Sequence, residues 1–150
     1  MKIALGCDHA GFTLKDTVIQ QVQKLGHEVL DMGTFSQERA DYPDFADKVA
    51  KAVASGQADR GILICGSGVG VCIAANKTKG IRASICHDAY TAQQAVEHDN
   101  LNVLCLGARI IGPALAQELV TRFLSARFSN GERHQKRLAK VATIEKTNFK

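Results

Sequence analysis

The sequence predicts an α/β fold: an open, parallel, five-stranded sheet in three layers, flanked by helices, with an extra C-terminal helix. Short β-branched or Leu-rich runs alternate with longer segments of helical period, the pattern of parallel strands joined by crossover helices. With 150 residues, 45% hydrophobic and 23% charged, the chain fits a single domain spanning 1–150 that buries its own core. No internal repeat, low-complexity tract or linker divides it.

Strands are predicted near Lys2–Cys7, His27–Asp31, Gly61–Cys65, Arg82–Cys86 and Val103–Leu106. Leu14, Val18, Val22 and Leu25 recur at spacings of four, four and three, one face of a helix that ends at Gly26. Val49, Ala52 and Val53 mark a helix after Pro43, and further helices are read through Val71 to Asn76 and Ala89 to Glu97. Pro113 suits a first helical turn, and Leu115, Leu119, Val120 and Phe123 follow on one stripe. The Lys- and Arg-rich segment Glu132 to Lys146 reads as a last helix that leaves the sheet. Gly33 to Asp44 is the longest predicted loop, of a length more often functional or disordered than idle.

Composition excludes several classes of function. Nineteen Lys and Arg against 15 Asp and Glu leave a charge of +4, too little to argue for DNA. Aromatic residues are 5% of the chain, with no Trp, so a stacking platform for single-stranded nucleic acid has little material. Five cysteines, none in a C-x-x-C pair, fit reduced thiols. The longest uncharged run, Gly61 to Asn76, is shorter than the ~20 residues of a membrane helix. The start MKIALGCDHAG lacks the apolar stretch of a secretory signal, and a cytoplasmic protein is expected.

The densest chemical signal is Cys65 at a strand end, followed by Gly66, Ser67, Gly68, Val69 and Gly70 at a helix start. Three glycines leave backbone N–H groups uncovered for a phosphate or a developing oxyanion. A tight turn in which glycine merely allows close packing is the alternative. The loop lacks the spacing of the dinucleotide and P-loop motifs, since Val71-Cys72-Ile73 stand where those need Gly or Gly-Lys-Ser/Thr. Cys65 at such a helix start is a candidate base or nucleophile, against the inert role of most buried cysteines. Ser67 could relay a proton or satisfy the turn. Asp8 and His9 follow the first strand, where a charged pair has a ligand to meet or a helix to cap. His98 ends a helical stretch, where it could complement the helix dipole. Arg133 and Arg137, four residues apart, could fork a phosphate or form a solvated basic face. No paired ligand spacing supports a zinc site among Cys7, His9, Cys65 and His98.

The motifs GCDHAGF (6–12), DYPDFA (41–46), ICGSGVG with AANK (64–77), NVLCLGAR (102–109) and ERHQKR (132–137) stand in an order that resembles the type B ribose-5-phosphate isomerases. Their relatives, the galactose-6-phosphate and allose-6-phosphate isomerases, share the pattern. The resemblance implies a Rossmann-like sheet of strand order 2-1-3-5-4 and an aldose–ketose isomerisation through an enediolate, with no metal and no organic cofactor. It implies that Cys65 is the base, that Ser67 relays a proton, and that the N–H groups of Gly66 to Gly70, including Gly68 and Val69, hold the enediolate oxygens. His98, assisted by Asp8, would open the furanose ring. His9, Arg109, Arg133 and Arg137 would grip the phosphate, with Tyr42 bordering the sugar. Some relatives carry a Glu base at the position of Val71, so this chain resembles the cysteine branch. Asp99 stands where many relatives have a sugar-contacting Asn, and ionised it can accept but not donate a hydrogen bond.

The resemblance further implies a homodimer, or a tetramer of paired dimers, whose active site lies at the subunit interface with the C-terminal helix reaching into the partner's pocket. The expected reaction interconverts ribose 5-phosphate and ribulose 5-phosphate in pentose phosphate metabolism. Two alternatives stay open: the same chemistry on a six-carbon sugar phosphate, and a non-catalytic module that binds a phosphorylated sugar. The expected partner is a small sugar phosphate, without nucleic acid or membrane.

Overall fold

A computed structural model describes residues 1–149. In chain order the elements are β1 (Lys2–Cys7), α1 (Phe12–Lys24), β2 (Glu28–Asp31), α2 (Tyr42–Ala54), β3 (Arg60–Cys65) and α3 (Val69–Ala75). They continue with β4 (Ala83–Ile85), α4 (Ala89–Asp99), β5 (Val103–Gly107), α5 (Pro113–Ser125) and α6 (Glu132–Asn148). The strands form one parallel sheet in the order β2-β1-β3-β5-β4, as the resemblance implied. Among the described residues no helix is long and apolar enough to cross a membrane.

The central strands are buried on both faces, which is why they read as nearly unbroken apolar runs. Ile62, Ile64, Leu104 and Leu106 face α1, α4 and α5, whereas Leu63, Val103 and Cys105 face α2 and α3. Three layers result, with a core on each side of the sheet. Gly61 and Gly6 let α2 approach, because a Cβ at Gly61 would meet Val49 Cγ1 at 2.6 Å and one at Gly6 would meet Val49 Cγ2 at 2.9 Å.

Predicted strand ends hold to within a residue, but the loop after β2 is shorter than expected. Pro43 sits in the first turn of α2, so Tyr42 to Asp44 are helical and the connection ends at Asp41. The start of that connection continues the sheet: Met32 N–H donates to Leu5, Cys7 N–H to Gly33 and Thr34 N–H to Cys7. Lys15, a buried residue of α1, fixes it from below, with Nζ 2.6 Å from the Thr34 carbonyl oxygen and 2.8 Å from Asp31. Its ammonium also stands 4.4 Å from the centre of the Phe35 ring. The last helix, α6, leaves the sheet and lies against α4, and Glu145 accepts the Gly80 N–H at 2.6 Å.

Candidate active site

The chain switches sides of the sheet between β1 and β3, and a cleft of about 370 Å³ opens beyond their C-terminal ends. At the end of β3 Cys65 is 5% exposed, and its Sγ accepts the Gly68 N–H at 3.1 Å. Gly68 can aim that N–H because it adopts φ +83°, a left-handed conformation that a side chain would strain. Such a donor binds a thiolate more strongly than a thiol. The N–H groups of Gly66 and Ser67 have no protein acceptor among the described residues. Exposed Ser67 turns its Oγ to the Val69 N–H at 3.2 Å, so the hydroxyl closes the turn and keeps its own proton to donate.

The other walls come from three loops. Asp8, buried, accepts the Gly11 N–H at 2.9 Å, and its own N–H donates to Ile64. A Cβ at Gly11 would strike the Ile64 carbonyl, so only glycine lets the loop after β1 settle on β3. His9 is half-buried, with Nδ1 3.1 Å from the Ala40 carbonyl oxygen and 3.2 Å from the Ala40 nitrogen. The Tyr42 ring lies on Gly70, where a Cβ would approach within 2.9 Å. The Arg109 guanidinium lies over Gly66, with Nη1 3.2 Å from where a Cβ would stand, and its backbone N–H donates to the Gly66 carbonyl. The cleft thus gathers a nearly buried thiol, uncovered N–H donors, one buried carboxylate, one imidazole and one guanidinium. That set can bind an anion and move a proton next to a developing oxyanion.

His98, Asp99 and Arg137 line a second cleft of about 240 Å³ between α4 and α6, with Arg82. Arg133 is exposed on α6. The predicted assistance of His98 by Asp8 does not form within one chain. Asp8 is committed to Gly11 beside β1, and His98 Nδ1 is 2.9 Å from Gln94 Nε2. The helix reading of Asp8 also needs correction: Gly11 occupies the N-cap of α1, and Asp8 closes the turn before it.

Two further groups lie outside the predicted site residues, one of them His87 at the carboxyl end of a strand, where a parallel sheet meets its ligands. Cys72, with Sγ 3.6 Å from the Ala83 carbonyl oxygen, has its thiol brought down to about 7 by the neighbouring Cys105 thiol and the Ile85 backbone against the effect of burial. His87, after β4, accepts the Gly107 N–H at Nε2 at 3.0 Å, and burial pushes its pKa below the ordinary 6.5. The unfolded chain therefore takes up this proton at higher pH than the folded one. Its contribution to stability is complete above about 6.5 and is lost as pH falls through the folded value. Melting temperature is expected to drop between pH 7.5 and 5.5, and to drop less in His87→Gln, whose amide oxygen accepts the same N–H; equal slopes in the two proteins would refute this.

The sequence profile of the Ribose/Galactose Isomerase family matches residues 3–141. The chain is 50% identical over 144 residues to ribose-5-phosphate isomerase B of Escherichia coli, covering 96% of each. It is 46% identical over 132 residues to D-erythrulose-4-phosphate isomerase of Pectobacterium atrosepticum, covering 87% of each. A solved structure of ribose-5-phosphate isomerase B from Clostridium thermocellum superposes with a TM-score of 0.94 at 49% identity, over 98% of this chain and 99% of that one. A thiol cleft at the switch point, the 2-1-3-5-4 sheet and these matches agree: the chain belongs to the ribose/galactose isomerase family.

Proposed function

We propose that this protein interconverts ribose 5-phosphate and ribulose 5-phosphate through an enediolate, with Cys65 as the base. The observation that carries the reading is the Cys65 sulfur, bonded to the Gly68 N–H beside the uncovered N–H groups of Gly66 and Ser67. The thiolate takes the proton from C2 of the open aldose. That electron pair forms the C1–C2 double bond, and the former carbonyl oxygen becomes an oxyanion on the loop 66–70. Ser67 passes a proton from O2 to O1, the C2 carbonyl forms, and the Cys65 thiol returns its proton to C1. His98 opens the furanose by proton transfer, and Asp8, Tyr42 and Asp99 contact the sugar. His9, Arg109, Arg133 and Arg137 hold the phosphate.

Two copies of the chain complete one site. Cys65 and His98 line different clefts, and each cleft lacks what the other supplies. Val69 and Ile73 on α3 and Val141 and Ile144 on α6 are exposed apolar residues that pairing would cover. The reading is tested by mixing two inactive variants, Cys65→Ala and His98→Asn, after unfolding and refolding together. Half of the dimers are then hybrids with one intact site of two, so activity of about a quarter of wild type is expected. No recovery would mean that each chain works alone.

The reaction itself is tested by proton NMR in D₂O with ribose 5-phosphate, allose 6-phosphate and galactose 6-phosphate in separate samples. Ketose formation from ribose 5-phosphate with loss of its C2 proton signal is expected. Activity confined to a hexose phosphate would overturn the pentose assignment, and silence on all three would overturn the isomerase. Arg137→Ala should raise KM about tenfold with kcat within about threefold, because phosphate is gripped alike in ground and transition states. An unchanged KM would leave Arg137 a surface charge.

A further inference from the structure

His134 is the buried residue of α6, a helix otherwise exposed or half-buried. Its ring is stacked on His98, with centroids 4.1 Å apart and planes inclined by 25°. Both rings are fixed by their own bonds. His134 Nδ1 is 2.6 Å from Ser129 Oγ, an oxygen that also accepts the Gly131 N–H at 3.1 Å. Its Nε2 faces Arg133 Nη2 at 3.4 Å, and a guanidinium only donates. The proton of His134 therefore sits on Nδ1, and the ring is neutral. Burial and the charges of His98, Arg133 and Arg137 favour that neutral form, and Asp99 opposes them. Across the stack, His98 Nδ1 accepts from the Gln94 amide, which leaves Nε2 as the nitrogen able to exchange a proton with substrate.

We infer that His134 is a positioning residue for ring opening: a neutral imidazole wall that fixes the plane of His98. The inference rests on the proposed isomerase reading and concerns one step of it. Opening a furanose breaks the bond between C1 and O4, forms the C1 carbonyl, removes a proton from O1 and delivers one to O4. The transferring ring must reach both oxygens in one orientation, and an imidazole held on one edge by Gln94 alone can swing out of that plane. A neutral face also places no second charge beside the ring that handles these protons.

The substrate chemistry separates this step from the rest. Ribose 5-phosphate closes a five-membered ring through O4, whereas ribulose 5-phosphate cannot close one, because its O5 carries the phosphate. Exchange of the C1 hydrogen of ribulose 5-phosphate with D₂O therefore needs the base and the oxyanion loop but no ring opening. His134→Ala should lower turnover of ribose 5-phosphate about tenfold while leaving that exchange within about twofold. His134→Phe keeps a flat ring on His98 and should return turnover to within about threefold of wild type. An equal loss in both reactions would make His134 a merely structural residue, and unchanged turnover in His134→Ala would remove its role. A wild-type protein that fails to exchange ribulose 5-phosphate would instead overturn the isomerase reading, so the two failures are distinct.

Discussion

Cys65→Ala is expected to abolish isomerisation and C1 exchange while leaving ribose 5-phosphate bound. The proposed base acts only in the transition state, and removing a positioned base lowers rates by about 10²–10⁴. The methyl group retained by Ala fills the same buried position, but the Gly68 N–H loses its sulfur acceptor. A stability loss of about 1–3 kcal/mol accompanies that orphaned donor. Cys65→Ser restores an acceptor, so it should recover part of the stability and none of the rate. Steady-state rates, urea midpoints and calorimetric Kd for the two variants measure the three effects separately. A Cys65→Ala protein with near-normal kcat would refute the assignment, and one that no longer binds substrate would show that the thiol also holds the ground state.

Gly107→Ala should damage the site from outside it. A Cβ at the end of β5 would stand 2.7 Å from the carbonyl carbon and oxygen of Ser67, and backbone cannot yield as the tip of a side chain can. The loop 66–70 must retreat, carrying the proposed oxyanion donors with it. Displacement of about 1 Å is enough to lower a rate 10²-fold, and overpacking of this kind costs about 1–3 kcal/mol. Gly112→Ala is the control, since a Cβ there meets nothing within 4 Å and only its N-cap position is weakened. Measured kcat/KM and urea midpoints should separate the two substitutions; if Gly107→Ala behaves like the control, the close approach does not hold the loop.

The centre of the sheet was legible because β1, β3 and β5 are buried on both faces, so each spells an apolar run. The glycine loop was legible for a related reason: its glycines answer to geometry, with Gly68 at φ +83° and Gly70 under the Tyr42 ring. What stayed hidden depends on how side chains meet across long separations. His98 and His134 stack although 36 positions separate them, and nothing in a basic helix announces a buried ring. One signal was present: His134, Leu138 and Glu145 recur at spacings of four and seven and form the face that α6 turns inward. The division of the predicted residues between two clefts is not written in the order of the motifs, because order along a chain does not say which cleft a residue lines.

The connection between β2 and α2 is fastened at both ends, by Lys15 beneath Thr34 and by His9 beside Ala40. Residues 35–39 between these two anchors are all exposed. Beyond Phe35, whose ring meets Lys15, their length and sequence can therefore drift without moving His9 or Tyr42, since any change is absorbed between fixed points. For protein engineering this span is a grafting port, where inserted residues hang between two fixed points while the chemistry of the cleft keeps its geometry.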